Sequence, residues 1–332
     1  MKNTKKILAV MLVVALVATL GLALVACGNK GGGGGDTQQT VTVVMPDGTP
    51  VLSVAKLFTD NATIDGKNMQ YQIVSAQEIV GKMKAESADI VIMPINQGVN
   101  AIVKNNVGYK LASVNVEGSL YVVGKPNGGS ATISLDNLKG KTVACIGQGA
   151  IPDLIFKYIV SKNDGLAIGD GADNIHIKYV SDASQALSML SKETPEADFA
   201  LVGEPAATAP FGVKGFTARL DLQTEFKKAS GLDNFPQAAM FVKNSLFANA
   251  TFMAEFRAAQ TASANWVNTK PEEVTAYMLS LKDKGALAGF PKPSVLRCKI
   301  VAKYADNKAT QDWILDSLKL INIEVGSANI FA

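Results

Sequence analysis

The sequence has few groups that react and few that bind metal. Among 332 residues there is one histidine, His176, and three cysteines, Cys27, Cys145 and Cys298, with no Cys-x-x-Cys pair. Those numbers exclude a zinc site of ordinary spacing and a disulfide-stapled scaffold. Arginine occurs only at Arg219, Arg257 and Arg297. The formal charge is +3, but Lys2, Lys5 and Lys6 stand in a leading segment with no acidic residue, and without them basic and acidic residues are equal in number. A body with no cationic surplus cannot displace phosphate counterions, which excludes nucleic acid as a partner. Hydrophobic residues make up 48% of the chain, enough to build a core and too many for a disordered protein.

What is present begins with a long apolar run. The three lysines precede an uncharged stretch from Ile7 to Ala26, the pattern of a secretory signal over residues 1–26. By length alone the stretch also fits a permanent membrane helix. Its end, Leu24-Val25-Ala26-Cys27, resembles the lipobox of bacterial lipoproteins, which implies cleavage before Cys27 and acylation of that residue. Residues 27–40, with five consecutive glycines at 31–35, read as a flexible tether to the extracytoplasmic face of the cell membrane. Cys145 and Cys298 each lie in an apolar stretch and read as buried free thiols.

From residue 41 onward, short β-branched runs alternate with amphipathic stretches, which predicts an α/β fold with largely parallel sheets. The pattern is written twice. Strands expected at 41–45, 71–74 and 90–93 are matched by strands at 141–146, 175–180 and 197–202, and Ala88-Asp89-Ile90-Val91 corresponds to Ala197-Asp198-Phe199-Ala200. Thr49 before Pro50 reads as a helix N-cap, and Ser75 to Glu78 and Asp182 to Gln185 read as capping boxes. Two β-α-β-α-β units make two lobes, expected to span 41–123 plus 238–332 and 124–237. Strand-like segments at 120–123 and 238–242 serve as crossings and form a hinge. Trp266 and Trp313 fit helix stripes and read as core.

Three stretches carry a resemblance: Leu138 to Val143 with Gly147-Gln148-Gly149-Ala150-Ile151-Pro152; Ala197-Asp198 through Gly203-Glu204-Pro205; and Phe241-Val242-Lys243 with Trp266-Val267-Asn268 and Pro271-Glu272-Glu273. In this order, behind a lipobox, they resemble the lipid-anchored solute-binding proteins of ABC importers in the nitrate/sulfonate/taurine and thiamine-precursor group. The resemblance implies a two-lobed periplasmic-binding-protein-like fold of type II. It also implies a monomer that closes over a small-molecule solute and passes it to a permease, with no cofactor. Met93-Pro94-Ile95-Asn96-Gln97 stands where many members have a Gly-rich turn.

In open α/β sheets ligands sit beyond the carboxyl ends of the strands. Six loops meet that condition here: Asp47 to Thr49, Asn96 to Gly98, Glu117 to Ser119, Gln148 to Asp153, Gly203 to Thr208 and Phe235 to Gln237. The candidate ligand contacts are Asp47, Thr49, Asn96, Gln97, Glu117, Gln148, Ala150, Glu204 and Gln237. None of these loops contains Lys or Arg. Carboxylate and amide acceptors without an arginine clamp suit a solute with N–H donors, such as an aminopyrimidine or another nitrogenous compound. Backbone amides at helix N-termini, as at Thr49 or Ala150, can alternatively hold a sulfonate or nitrate. Asp47 also fits an Asx turn, Glu204 a solvated loop carboxylate, and Tyr121, Phe211 and Phe235 either a ring-stacking or a core role.

Other patterns lead nowhere specific. Gly147-Gln148-Gly149 begins like a dinucleotide fingerprint but has Pro152 at the sixth position. Asp164, Asp170 and Asp173 lack the spacing of a calcium loop. Folds of this kind also host catalysis, and some relatives build the thiamine pyrimidine with a reactive histidine. His176 lies in an alternating strand, and no Ser or Cys stands beside a base, so the expectation is a binding protein and not an enzyme. A tethered sensor that hands its ligand state to a receptor uses the same lobe closure.

Overall fold

Alternating Val and Thr make Thr40–Met45 a strand, β1, with Val41, Val43, Val44 and Met45 all buried. The chain continues through α1 (Thr49–Leu52), α2 (Ala55–Thr59), β2 (Thr63–Ile64), β3 (Lys67–Ile73), α3 (Ala76–Lys84), β4 (Ile90–Pro94), α4 (Ile95–Asn105) and β5 (Tyr109–Glu117). A second run comprises β6 (Leu120–Gly124), β7 (Thr142–Ile146), α5 (Ile151–Ser161), β8 (His176–Val180), α6 (Ala183–Ser191), β9 (Phe199–Gly203), β10 (Ala218–Asp221) and α7 (Leu222–Ser230). The return supplies β11 (Pro236–Lys243), α8 (Asn244–Phe247), α9 (Ala250–Thr269), α10 (Pro271–Lys282), α11 (Lys292–Val295), β12 (Ile300–Tyr304) and α12 (Lys308–Leu320). The computed structural model describes residues 39–59, 63–125, 130–208, 215–216, 218–282 and 289–331. The signal segment, Cys27, all but the last two tether residues and Phe211 fall outside them.

Two sheets form, ordered β12-β5-β11-β4-β1-β3-β2 and β10-β6-β9-β7-β8. This is the expected two-lobed α/β architecture, with one correction: the sheets are mixed. Between the named strands, parallel pairing joins β3-β1-β4 and β8-β7-β9, while β11 and β5 in the first sheet and β6 and β10 in the second pair antiparallel. The physical reason is connectivity, because strands that arrive from the other lobe enter each sheet against the βαβ direction.

The doubled pattern is structural. In the first lobe the Thr42 N–H donates to Asp89 Oδ2 at 2.8 Å, and in the second the Thr142 N–H donates to Asp198 Oδ2 at 2.9 Å. Each aspartate thus ties the start of the central strand of its sheet, β4 or β9, to the neighbouring strand, β1 or β7. Asp89→Ala is expected to cost about 1 kcal/mol in urea unfolding, as for a lost hydrogen bond, and Asp198→Ala less because Asp198 is exposed. Equal losses would show that the two ties are not graded by burial.

The lobe boundaries also need correction. Residues 120–123 are expected in the first lobe, but they pair with β9 and β10 in the second sheet, so the first crossing is Gly118-Ser119. The second crossing lies between α7 and β11, just before the expected break, and Gly118 N–H donates to Phe235 O at 3.0 Å, joining the two. Gly118 has φ +73, and a Cβ there would lie 2.3 Å from Gln223 Cγ, so the position requires glycine. One apolar cluster continues across the lobes through Phe235, Ile151 and Ile155 to Ile314 and Leu318 of α12. A second lies under α9 and α10, around Phe252, Phe256 and Met278.

Ser75 and Asp182 cap α3 and α6 as expected, accepting from the Glu78 and Gln185 N–H groups. Thr49 does not cap α1: Gly48 occupies that place, at φ 102, and frees the Thr49 hydroxyl for another partner. Neither tryptophan is fully buried. Trp266 Nε1 donates to Glu273 and Trp313 Nε1 to the Asn234 carbonyl, which keeps each ring edge near the surface.

Candidate ligand site between the lobes

The carboxyl ends of β1 and β4 deliver Gly48-Thr49 and Asn96-Gln97 to one edge of the first sheet. The end of β5 and the start of β11 add Ser119 and Gln237 at the same edge, since Glu117 pairs with Pro236 and Ala238 with Pro94. From the second lobe, the loops after β7 and β9 supply Gly149-Ala150 and Glu204 to Thr208. The lobes are bonded across this line. Thr49 Oγ1 donates to Glu204 O at 2.8 Å and Asn96 Nδ2 to Gly149 O at 2.9 Å, while Glu204 N–H donates to Ser119 O at 3.2 Å.

The Gly149 end is held firmly. Asp153, on the first turn of α5 and 1% exposed, accepts from Gly149 N–H at 2.8 Å, Tyr179 OH at 2.9 Å and Lys157 Nζ at 3.0 Å. Ala150 is the buried N-cap of that helix, with no side chain capping it. Four side-chain oxygens at the edge of the first sheet are buried without a hydrogen-bond partner: Asn96 Oδ1, Gln97 Oε1, Ser119 Oγ and Gln237 Oε1.

Glu204 is buried, not a solvated loop carboxylate. Its Oε1 accepts from Thr208 Oγ1 at 2.7 Å and its Oε2 from Ser294 Oγ at 3.0 Å, and Ser294 belongs to α11 of the first lobe. Burial pushes this carboxyl above its ordinary value, against the smaller opposing pull of the two hydroxyls, Arg297 and Arg219. Arg297 donates to Thr208 Oγ1 at 3.1 Å, and Arg219 reaches from β10 to lie 5.7 Å from the Tyr121 ring centre. Two arginines thus stand beside Glu204, although the six strand-end loops contain none. Neither arginine is in a strand-end loop, so an inventory of loops could not find them; Arg219 comes from an edge strand and Arg297 from the turn after α11.

The remaining expected contacts divide. Asp47 is exposed and accepts from the N–H of its neighbour Gly48 at 2.7 Å, one residue short of the bond that defines an Asx turn. Glu117 is ion-paired with Lys303 of β12, which satisfies its charge within the first lobe. Gln148 is exposed. Phe235 is core, edge-on to Phe226 at 5.1 Å. Cys145 and Cys298 are buried free thiols; burial pushes the Cys145 thiol up to about 12 and the Cys298 thiol up as well. Among the described residues no three His, Cys, Asp or Glu side chains gather as metal ligands.

No protein-family model matches the sequence, and neither does any curated protein. Solved structures are similar in fold. An ABC transporter structure from Parabacteroides distasonis is 21% identical, with a TM-score of 0.69 over 89% of this chain and 99% of that one. The periplasmic aliphatic sulphonate binding protein SsuA from Escherichia coli is 13% identical, with a TM-score of 0.62 over 89% of this chain and 91% of that one. A Candida albicans gene product described as having the generic periplasmic binding protein structural fold is 11% identical, with a TM-score of 0.57 over 88% of this chain and 92% of that one. With its two mixed sheets, paired crossings and facing strand-end loops, the chain has the periplasmic-binding-protein fold.

Proposed function

We propose that the protein captures a small organic solute between its lobes at the extracytoplasmic face of the membrane and delivers it to an ABC importer permease. The observation that carries this reading is the row of buried side-chain oxygens without a hydrogen-bond partner near the line where the lobes meet. A buried polar group without a partner costs about 1–3 kcal/mol, and a bound solute is the natural way to satisfy several at once. Asn96, Gln97, Gln237, Thr49 and the Ala150 amide end of α5 are the proposed contacts, with Glu204 closing the far side. No catalytic step is involved. Acylation of Cys27 provides the anchor, and the protein acts as a monomer.

A nitrogenous solute such as an aminopyrimidine is favoured because the unpartnered atoms are acceptors. A sulfonate is the second reading, favoured by Arg219 and Arg297 beside Glu204 and by the sulphonate-binding protein of the same fold. Native mass spectrometry of the protein as purified is expected to find a retained small molecule. Adding that molecule at a hundred times its dissociation constant should raise stability by about 2.7 kcal/mol and contract the particle in small-angle scattering. A protein that retains nothing, and whose scattering no small molecule alters, would sink the reading. Cys27→Ser is expected to leave an unprocessed, unacylated precursor, and mature acylated protein from that variant would refute the anchor.

A further inference from the structure

The unpartnered oxygens at the edge of the first sheet belong to three side-chain amides and one hydroxyl. Asn96 is 1% exposed and Ser119 0% exposed. Nothing charged is bonded to any of the four. An ammonium group placed among them would be buried without a carboxylate partner, and a sulfonate or carboxylate without a cation, which is costly for either charge.

Asn96 sets the polarity of the group. A carboxamide can ordinarily rotate to present either its oxygen or its nitrogen. Here Asn96 Nδ2 is committed to Gly149 O at 2.9 Å, and Gly149 is itself pinned through its N–H by Asp153. Asn96 Oδ1 is therefore a fixed acceptor, and it is fixed by a residue of the opposite lobe. Only with the lobes together is the choice of atom made. Gln97 on the next residue and Gln237 on the neighbouring strand carry both a donor and an acceptor on one flat group. The complement of such groups is a flat edge that also carries both.

We propose that the solute presents an uncharged amide-like edge, a carboxamide, ureide or lactam, to Asn96, Gln97, Ser119 and Gln237. Lobe closure fixes the atom of Asn96 that it meets. The inference rests on the solute-binding reading and names the chemical class of its ligand. The Glu204, Ser294, Thr208 and Arg297 group then serves to join the lobes and does not read the solute.

The test measures binding of defined probes to the full chain by calorimetry and thermal shift. The probes are nicotinamide, allantoin and cytosine as uncharged N–H compounds, putrescine as a cation, methanesulfonate as an anion and ribitol as a polyol. Binding is expected from the uncharged N–H set. Gln237→Leu should weaken that binding about tenfold while leaving the melting temperature of the unliganded protein unchanged or higher, because it removes a polar group that has no partner. Asn96→Asp should move the preference from the uncharged set toward putrescine. Binding of only putrescine, methanesulfonate or ribitol overturns the inference, as does binding of no probe or unchanged affinity in Gln237→Leu. The solute-binding reading is decided separately, by the retained molecule and the scattering change, and survives any of these outcomes.

Discussion

Gly98→Ala is expected to destabilise the protein by about 2–3 kcal/mol, although replacing a helical glycine by alanine ordinarily gains about 1 kcal/mol. Gly98 lies in the first turn of α4, and a Cβ there would fall 2.2 Å from Cε2 and Cζ of Phe241. The ring cannot swing away, because Phe241 is fully buried within the continuous core cluster. The start of the helix must shift instead, and with it Asn96 and Gln97. The variant should therefore lose interlobe closure as well as stability. Phe241→Leu alone should also destabilise, but in the Gly98→Ala background it makes room, so the double variant should lose at least about 1 kcal/mol less than the sum of the two. Urea unfolding of the four proteins tests this; additive losses would show that the ring is not what Gly98 accommodates.

The second large effect is centred on Glu204. Glu204→Ala should cost about 2–3 kcal/mol, because it strips the acceptor from the buried Ser294 hydroxyl and the half-buried Thr208 hydroxyl, one on each lobe. Glu204→Gln keeps part of the hydrogen bonding and should cost less, and its diagnostic is pH. Burial raises the Glu204 carboxyl above its ordinary value of 4.5. An acid raised on folding binds its proton more readily in the native state, so its contribution is complete below the ordinary value and is lost as the pH rises through the raised one. The melting temperature of the wild type minus that of Glu204→Gln should accordingly fall as the pH increases from about 4.5. Arg297→Ala removes a charge that opposes the rise and should push the fall to higher pH. A difference that grows with pH would mean that Glu204 is held by its partners in the charged form, the reverse of what its burial implies.

How much of this was legible in the sequence depends on how local each cause is. The doubled Ala-Asp followed by an apolar run marked two equivalent units by repetition alone, although each aspartate's partner, Thr42 or Thr142, lies 47 or 56 residues away. Caps at Ser75 and Asp182 were legible because the donor is three residues away. Thr49 was misread because its hydroxyl serves a partner 155 residues on, and no local rule prefers that over capping. Glu204 looked like a loop carboxylate, and its burial depends on Ser294, which is 90 residues away. The mixed sheets and the crossing at Gly118 escaped notice because strand direction follows connectivity between lobes, while alternation in the sequence reports only which faces are buried. Charge counted within the strand-end loops missed Arg219 and Arg297, which enter beside Glu204 from neighbouring elements.

The bond from Gly118 N–H to Phe235 O has one more implication. Two independent linkers would let one lobe tilt, roll and slide against the other. Laced together at their midpoints, the crossings act as a single ribbon that is soft to bending and stiff to shear. The relative motion of the lobes then approaches one degree of freedom, so the separation between Asn96 and Gly149 and that between Ser294 and Glu204 change together. A surface that touches both lobes would register one angle, and that angle is the one the proposed solute would set.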